Sequence, residues 1–391
     1  MIYLDHAAST PLRPEAVSAL QPFLTGIYGN PSGAHAAARE AKTALEAARE
    51  DVAAALGARP REIVFTGGGS ESDNLAILGA ARAARAVSPM VRVGPRPRIV
   101  TTAIEHKAVL GSAHRLERDG FDVVEVGVGA DGILDLDEFS EALTRETAVV
   151  SVMLVNNEVG TVQPLAAVAG LVRERAPEAV LHTDAVQAVP WVDVAALARA
   201  ADLVAISGHK FGGPKGVGVL VVREGVRLEP LIEGGGHEWG ARAGTQNVAG
   251  IVMLAAALRA TTDKRDVEAA RIARQRDRLE AGLLAALPGS TVHATGAPRS
   301  AGHLNLAIPG VEAETLLVAL DHAGVCAAAG SSCSSGAIDP SPVLLAMGLD
   351  AATARASIRL SLGVTTTDAD IDVALATIPE CVRRLTLPRA V

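Results

Sequence analysis

The strongest constraint in this chain is a recurrence of short apolar runs separated by helical stretches. The runs are Arg61 to Thr66, Arg98 to Thr102, Asp122 to Val126, Ala148 to Val155, Ala179 to His182, Asp202 to Ser207 and Gly218 to Val222. Several are continuously apolar rather than alternating. Such runs suit strands whose two faces are both covered by helices. Strand–helix alternation of this kind predicts an α/β fold with a mostly parallel central sheet. In such sheets, ligands sit at the carboxyl ends of the strands.

The stretches between these runs fit that plan. Ala34 to Leu56 is rich in strong helix formers; Ser32 is placed to cap its start, and Gly57 with Pro60 to end it. A further helix is expected from near Glu71. From about residue 250 the pattern changes to one long helical stretch, 251–287, followed by shorter elements. We therefore expect a large domain over 15–250 and a smaller α+β domain over 251–391, joined by an extended N-terminal arm, 1–14. The 391 residues are 49% hydrophobic and 20% charged, enough to build a large core.

Composition narrows the function classes. A net charge of -8 and 2% aromatic residues argue against a nucleic-acid surface or a stacking platform for single strands. No apolar run reaches membrane-spanning length, and the N-terminus does not read as a signal peptide. Cys326, Cys333 and Cys381 suit a reducing compartment, so we expect a cytoplasmic protein. No cysteine pair has the spacing of a structural zinc site, and no metal is expected.

The polar residues of interest fall just after the predicted strands. Gly67-Gly68-Gly69-Ser70-Glu71-Ser72 follows the first strand and opens a helix. It is either a phosphate site made of backbone N–H groups or a plain glycine turn. His106 is placed either to stack on a flat heterocycle and move protons or to cap a helix. Asn156 and Asn157 are either ligand contacts or turn residues. Asp184 ends a dry strand, where a carboxylate is costly without a cation. The protonated ring nitrogen of pyridoxal phosphate is such a cation.

Ser207-Gly208-His209-Lys210-Phe211-Gly212-Gly213 ends the next strand. Apolar surroundings favour the neutral amine of a lysine, the form that makes a Schiff base with a carbonyl cofactor. The flanking glycines would let backbone approach a bulky ligand. The competing reading is a solvated lysine in a turn. Among the other lysines only Lys107 is a rival, since Lys42 lies on an exposed-looking helix, Lys264 in a charged helical run, and Lys215 follows a proline in a turn.

With these stretches in view the chain resembles the cysteine desulfurases of the NifS/IscS type, group I, within the class V aminotransferases of pyridoxal phosphate fold-type I. The matching stretches are Tyr3–Ala8, Tyr28–Ser32, Ile63–Asn74, Thr102–Val109, Val155–Gly160, His182–Gln187, Ser207–Gly216, Gly234–Glu238, Arg242–Asn247, Gly330–Ser335 and Ile358–Gly363. The resemblance implies that Lys210 attaches the cofactor, Asp184 pairs with its ring nitrogen, His106 stacks on the ring and Gln187 bonds the ring hydroxyl oxygen. It implies that Gly69, Ser70, Ser207 and His209 hold the phosphate, with Thr245 reaching in from the second subunit of a homodimer. Asn157 and Arg359 would bind the substrate carboxylate, and Asn157 would contact the cofactor as well.

The resemblance also makes Cys333 the nucleophile. It would take sulfur from L-cysteine as a persulfide, leave alanine, and pass the sulfur to an acceptor protein such as an iron–sulfur scaffold. The small-residue stretch around Cys333, Ala327 to Gly336, is expected to be mobile. Cys326 and Cys381 read as structural. Gly69-Ser70 stands where the family commonly has Ala-Thr, Trp239 where some relatives have arginine, and the arginine-rich loop over 87–98 is longer than expected. The competing readings are a selenocysteine lyase or other class V lyase and, from another class, a pyridoxal-phosphate-fold interaction subunit without sulfur transfer of its own.

Overall fold

The computed structural model describes residues 1–87, 96–330 and 339–386. Most of the arginine-rich loop, Cys333 with its neighbours, and residues 387–391 lie outside the described residues.

The strands are β1 (Ile2–Tyr3), β2 (Ile63–Thr66), β3 (Arg98–Thr102), β4 (Asp122–Val126), β5 (Thr147–Ser151), β6 (Val180–Asp184), β7 (Leu203–Ser207), β8 (Gly218–Val222), β9 (Thr291–Val292), β10 (His303–Ala307), β11 (Val325–Cys326) and β12 (Ser357–Ser361). Among the described residues the central sheet has seven strands in the order β2-β8-β7-β6-β5-β3-β4. β4, β3, β5, β6 and β7 run parallel, whereas β8 is antiparallel to both β7 and β2. The reason is the connection. Gly208 to Val217 is too short for a helical crossover, so the chain can only return antiparallel.

Adjacent residues of each strand pack into opposite layers. Phe65, Val100, Val150, Val219 and Val221 enter one core cluster, and their neighbours Val64, Ile99, Val149 and Leu220 enter another. This is the physical content of the continuous apolar runs: both faces are dry, and each fully buried branched side chain contributes about 1.5–3 kcal/mol. A further cluster joins Leu304, Leu306, Ile358 and Leu360 of β10 and β12 to Ile371, Ala374 and Ile378 of the last helix, Asp368–Thr386. Ile2 and Leu4 of the N-terminal arm belong to it. Helix Val248–Ala286 serves both regions: Ile251, Leu254 and Leu258 pack under the central sheet, and Ile272, Leu279 and Leu283 under the small one.

Local details differ from the sequence reading. Helix Ala36–Ala55 is capped by His35, whose Nδ1 accepts from Ala38 N at 3.3 Å, not by Ser32. Ser32 is instead drawn into a turn by Asn30, whose Oδ1 accepts from Ser32 N. Gly57 does follow the helix, at φ +59°. The helix expected near Glu71 begins at Gly69. β5 stops at Ser151, earlier than the apolar run to Val155, although the chain continues beside β6, with Val152 N donating to His182 O and Leu154 N to Asp184 O.

Candidate active site

The carboxyl ends of β2, β3, β5, β6 and β7 converge on one cavity of about 460 Å³. Gly69, Ser70, His106, Asn157, Asp184, Gln187, Ser207, His209, Lys210 and Arg359 all line it. Thr245 is exposed and lies away from the cavity lining of its own chain. Cys333 lies outside the described residues.

Lys210 ends the single helical turn Gly208–Lys210 that follows β7. Its Nζ donates to Ala7 O at 2.6 Å and to Ala8 O at 3.0 Å. The arm is therefore a wall of the site. It is held there by Thr10 N on His209 O at 2.9 Å and Arg13 N on Gly212 O at 2.8 Å. Gly212 has φ +87°, and a Cβ there would meet Arg13 Cγ at 2.4 Å. At this position the glycine admits the arm, not a ligand, which corrects the sequence expectation.

His106 both caps and lines the cavity. Its Nδ1 accepts from Ala108 N at 3.1 Å at the start of helix Lys107–Arg118. The neutral ring then carries its proton on Nε2. Burial holds its pKa below the usual value; Asp184 opposes this, and Lys210 adds to it. Asp184 Oδ1 accepts from Val186 N at 2.8 Å. Burial pushes Asp184 up to about 6, and Asp73 adds to the rise. Burial brings His209 down to about 4, with Lys210 and Lys215 contributing.

The glycine turn lines the same cavity. Gly68, at φ +148°, packs so tightly that a Cβ on Gly218 would lie 2.6 Å from its carbonyl carbon. Glu71 Oε2 accepts from Gly67 N at 2.8 Å and Oε1 from Arg242 Nε at 2.9 Å. Backbone N–H groups at the start of a helical segment suit an anion.

Arg359 approaches from β12, 2% exposed. Nη1 donates to Asn157 O at 2.9 Å, and Nη2 to Asp5 Oδ1 at 2.9 Å. The two asparagines separate in role. Asn156 is committed to the turn, accepting from Glu158 N and Val159 N and donating to Ile104 O, while Asn157 reaches the cavity. Gln187 Nε2 donates to Ala7 O at 2.8 Å.

The sequence reading gave no role to Asp5, Ala7, Ala8 or Asp73, which the fold brings to this site. Asp5 and the two alanines stand in a stretch that carries the resemblance, but nothing local shows that they face Arg359 and Lys210. Asp73 is hidden in a helical pattern.

The donor set fits pyridoxal phosphate: an anion cradle, a buried carboxyl, a lysine amine and an imidazole line the same cavity. Cys326 is half-buried on β11, and Cys381 is buried with Sγ 3.7 Å from Ala319 O.

Comparison with known proteins agrees with this geometry. The family model for class V aminotransferases matches residues 2–373. The chain is 44% identical over 385 residues to a cysteine desulfurase of Trichormus azollae, covering 98% of this chain and 94% of that protein. It is 43% identical over 388 residues to an IscS-like cysteine desulfurase of Mycobacterium tuberculosis, covering 98% and 97%. A solved NifS-like protein superposes with a TM-score of 0.89 at 34% identity, over 98% of this chain and 99% of the other. The chain belongs to the class V aminotransferase family and, within it, to the cysteine desulfurases of the NifS/IscS type.

Proposed function

We propose that this protein is a pyridoxal-phosphate-dependent cysteine desulfurase that converts L-cysteine to L-alanine and carries the sulfur on Cys333. The observation that supports this most is the meeting of Lys210, Asp184 and Arg359 in one cavity, although they come from β6, the β7 turn and β12. Gly69, Ser70, Ser207 and His209 bind the cofactor phosphate, with Thr245 contributed by the second subunit of a homodimer. Asp184 binds the ring nitrogen, His106 stacks on the ring and Gln187 bonds the ring hydroxyl oxygen. Once bound, the cofactor supplies an electron sink for the substrate α-carbon.

This chain's own groups do the rest. Arg359 binds the substrate carboxylate with its planar fork, and Asn157 assists. Lys210 attaches the cofactor and, once released, removes the α-proton. The Ala7 and Ala8 carbonyls already accept from its amine and give the released side chain a resting place. His106 moves the proton of the substrate thiol through Nε2. Cys333 thiolate attacks the substrate sulfur; an S–S bond forms, the substrate C–S bond breaks, and the carbon is protonated to alanine. The persulfide then passes to an acceptor protein in the cytoplasm, an iron–sulfur scaffold or another sulfur acceptor. Among the described residues no helix is long and apolar enough to cross a membrane.

The test is incubation of the yellow holoenzyme with L-cysteine, followed by mass spectrometry. Alanine and one added sulfur on Cys333 are expected. Cys333→Ser should retain the cofactor and lose the persulfide and sulfide release. Full activity in that variant removes Cys333 as nucleophile.

A further inference from the structure

Beside Asp184 lies a carboxyl that the chemistry above does not use. Asp73 is 1% exposed and lines the cavity. One ligating atom each of Asp73, Asp184 and His106 lie within 4.8 Å of one another. Asp73 Oδ1 has no hydrogen-bond partner among the described residues, and it stands 3.5 Å from His182 Nε2, which also has none. On the far side of that ring, His182 Nδ1 is 2.9 Å from Ser151 Oγ. Ser151 and His182 are paired in register across β5 and β6. A row of buried side chains thus runs from Ser151 through His182 to Asp73, at the edge of the cavity beside Asp184.

Two carboxyls this close in a dry site cannot both be freely ionised; protons are distributed over the group. The charges around Asp73 are Asp184 and His182 from β6, and Glu105 and His106 from the segment after β3. Burial pushes Asp73 up to about 8. Burial holds His182 near 4, so its ring is neutral. Glu105 is raised well above its usual value by burial, then by Asp184, with Asp73 adding; the bond from Met153 N opposes this. Asp184 and His106 have roles in the proposed chemistry; Asp73, His182 and Glu105 have none, yet they are buried together beside Asp184.

We propose that Asp73 is a positioning residue for the ring-nitrogen end of the cofactor: by sharing a proton with its buried neighbours it keeps Asp184 a strong acceptor for a cationic ring nitrogen. This rests on the reading that pyridoxal phosphate fills the cavity. The physical reason is the neighbouring negative charge. A second acid beside Asp184 raises the proton affinity of the pair, and so the hold on any N–H⁺ placed against it. Asn has nearly the same shape but supplies neither charge nor an acid proton.

The experiment compares wild type with Asp73→Asn, both reconstituted with pyridoxal phosphate labelled with ¹⁵N in the ring. In the variant, the pH at which the ring nitrogen loses its proton should fall by about one unit. A second readout uses the 1-deaza analogue, whose ring cannot be protonated. Wild type should prefer pyridoxal phosphate over this analogue, and Asp73→Asn should lose about tenfold of that preference. A merely structural role for Asp73 would weaken both ligands alike. Ser151→Ala, at the far end of the row, should shift the ring titration in the same direction by less, and it decides the question if Asp73→Asn does not fold. An unchanged ring titration and preference in variants that bind the cofactor overturns the Asp73 assignment alone. Failure of wild type to bind pyridoxal phosphate overturns the functional reading beneath it.

Discussion

The two sides of the cavity are built in different ways. The cofactor side is made by consecutive strand ends of one sheet, and each side chain is placed by the element just before it. The substrate side is made by pieces far apart in the chain. Arg359 sits on β12, its partner Asp5 is 354 residues away in the arm, and Asn157 lies in the turns beyond β5. The arm stitches the two sides together, since Asp5 meets Arg359 while Ala7 and Ala8 meet Lys210. A site of this kind can keep its cofactor while its substrate side is altered, because the two sides rest on separate packing clusters.

Lys210→Ala is the harshest test of that separation. It should lower desulfuration about a thousandfold or more, as loss of a proton-transferring group does, and abolish covalent retention of the cofactor on denaturing gel filtration. The Arg359 side should remain folded, so the thermal transition should survive. Arg359→Lys should act next most strongly. The point charge of lysine cannot replace a fork that serves both Asp5 and Asn157. We expect a loss of about 2–5 kcal/mol in kcat/KM, with cofactor absorbance unchanged. A bleached variant would show that the two sides are not separable.

Asp5→Asn should be milder and of opposite sign. Asp5 pairs with the guanidinium proposed to bind the substrate carboxylate. Removing its charge should lower KM for L-cysteine about threefold and leave kcat near wild type. A raised KM would mean that Asp5 aims the guanidinium rather than competing for it.

The two sides also answer pH in opposite senses. On the substrate side, burial lowers His303 from 6.5 to about 3. Its folded pKa is depressed, so the stability it contributes is present above 6.5 and is lost as pH falls toward 3. On the cofactor side, Asp73 is raised from 3.8 to about 8, so its contribution is present below 3.8 and is lost as pH rises toward 8. Urea midpoints of the apoprotein across this range should therefore fall at both ends. His303→Asn should flatten the acid limb, by on the order of 5 kcal/mol at most, and leave the alkaline limb in place. A variant whose acid limb matches wild type would show that other buried histidines govern it.

Legibility followed the same division. The α/β class, the mostly parallel sheet and the positions of Asp184, Ser207 and Lys210 could be read because apolar runs mark strands and polar residues after them mark the ligand edge. The end of β5 was not: the sequence run to Val155 overshot it, because the apolar segment after Ser151 still runs beside β6 and reads the same as a strand. Ser32 looked like a cap by residue type, yet His35 does the capping, because backbone geometry chooses the cap among nearby candidates. The roles of Asp5 and Asp73 were invisible, since neither stands at a predicted strand end.

What the sequence by itself determined was the set of groups and their order along the chain: a glycine turn, His106, Asn157, Asp184, Lys210 and Arg359, spaced by elements whose periodicity dictates a doubly covered sheet. Only the tertiary structure decided which of them touch. It placed the arm between Arg359 and Lys210 and set Asp73 against His182 and Asp184. The reason is physical. Local patterning records what each residue must bury, but contacts between distant segments, and the proton sharing that follows from them, exist only once the two packing clusters have closed around the same cavity.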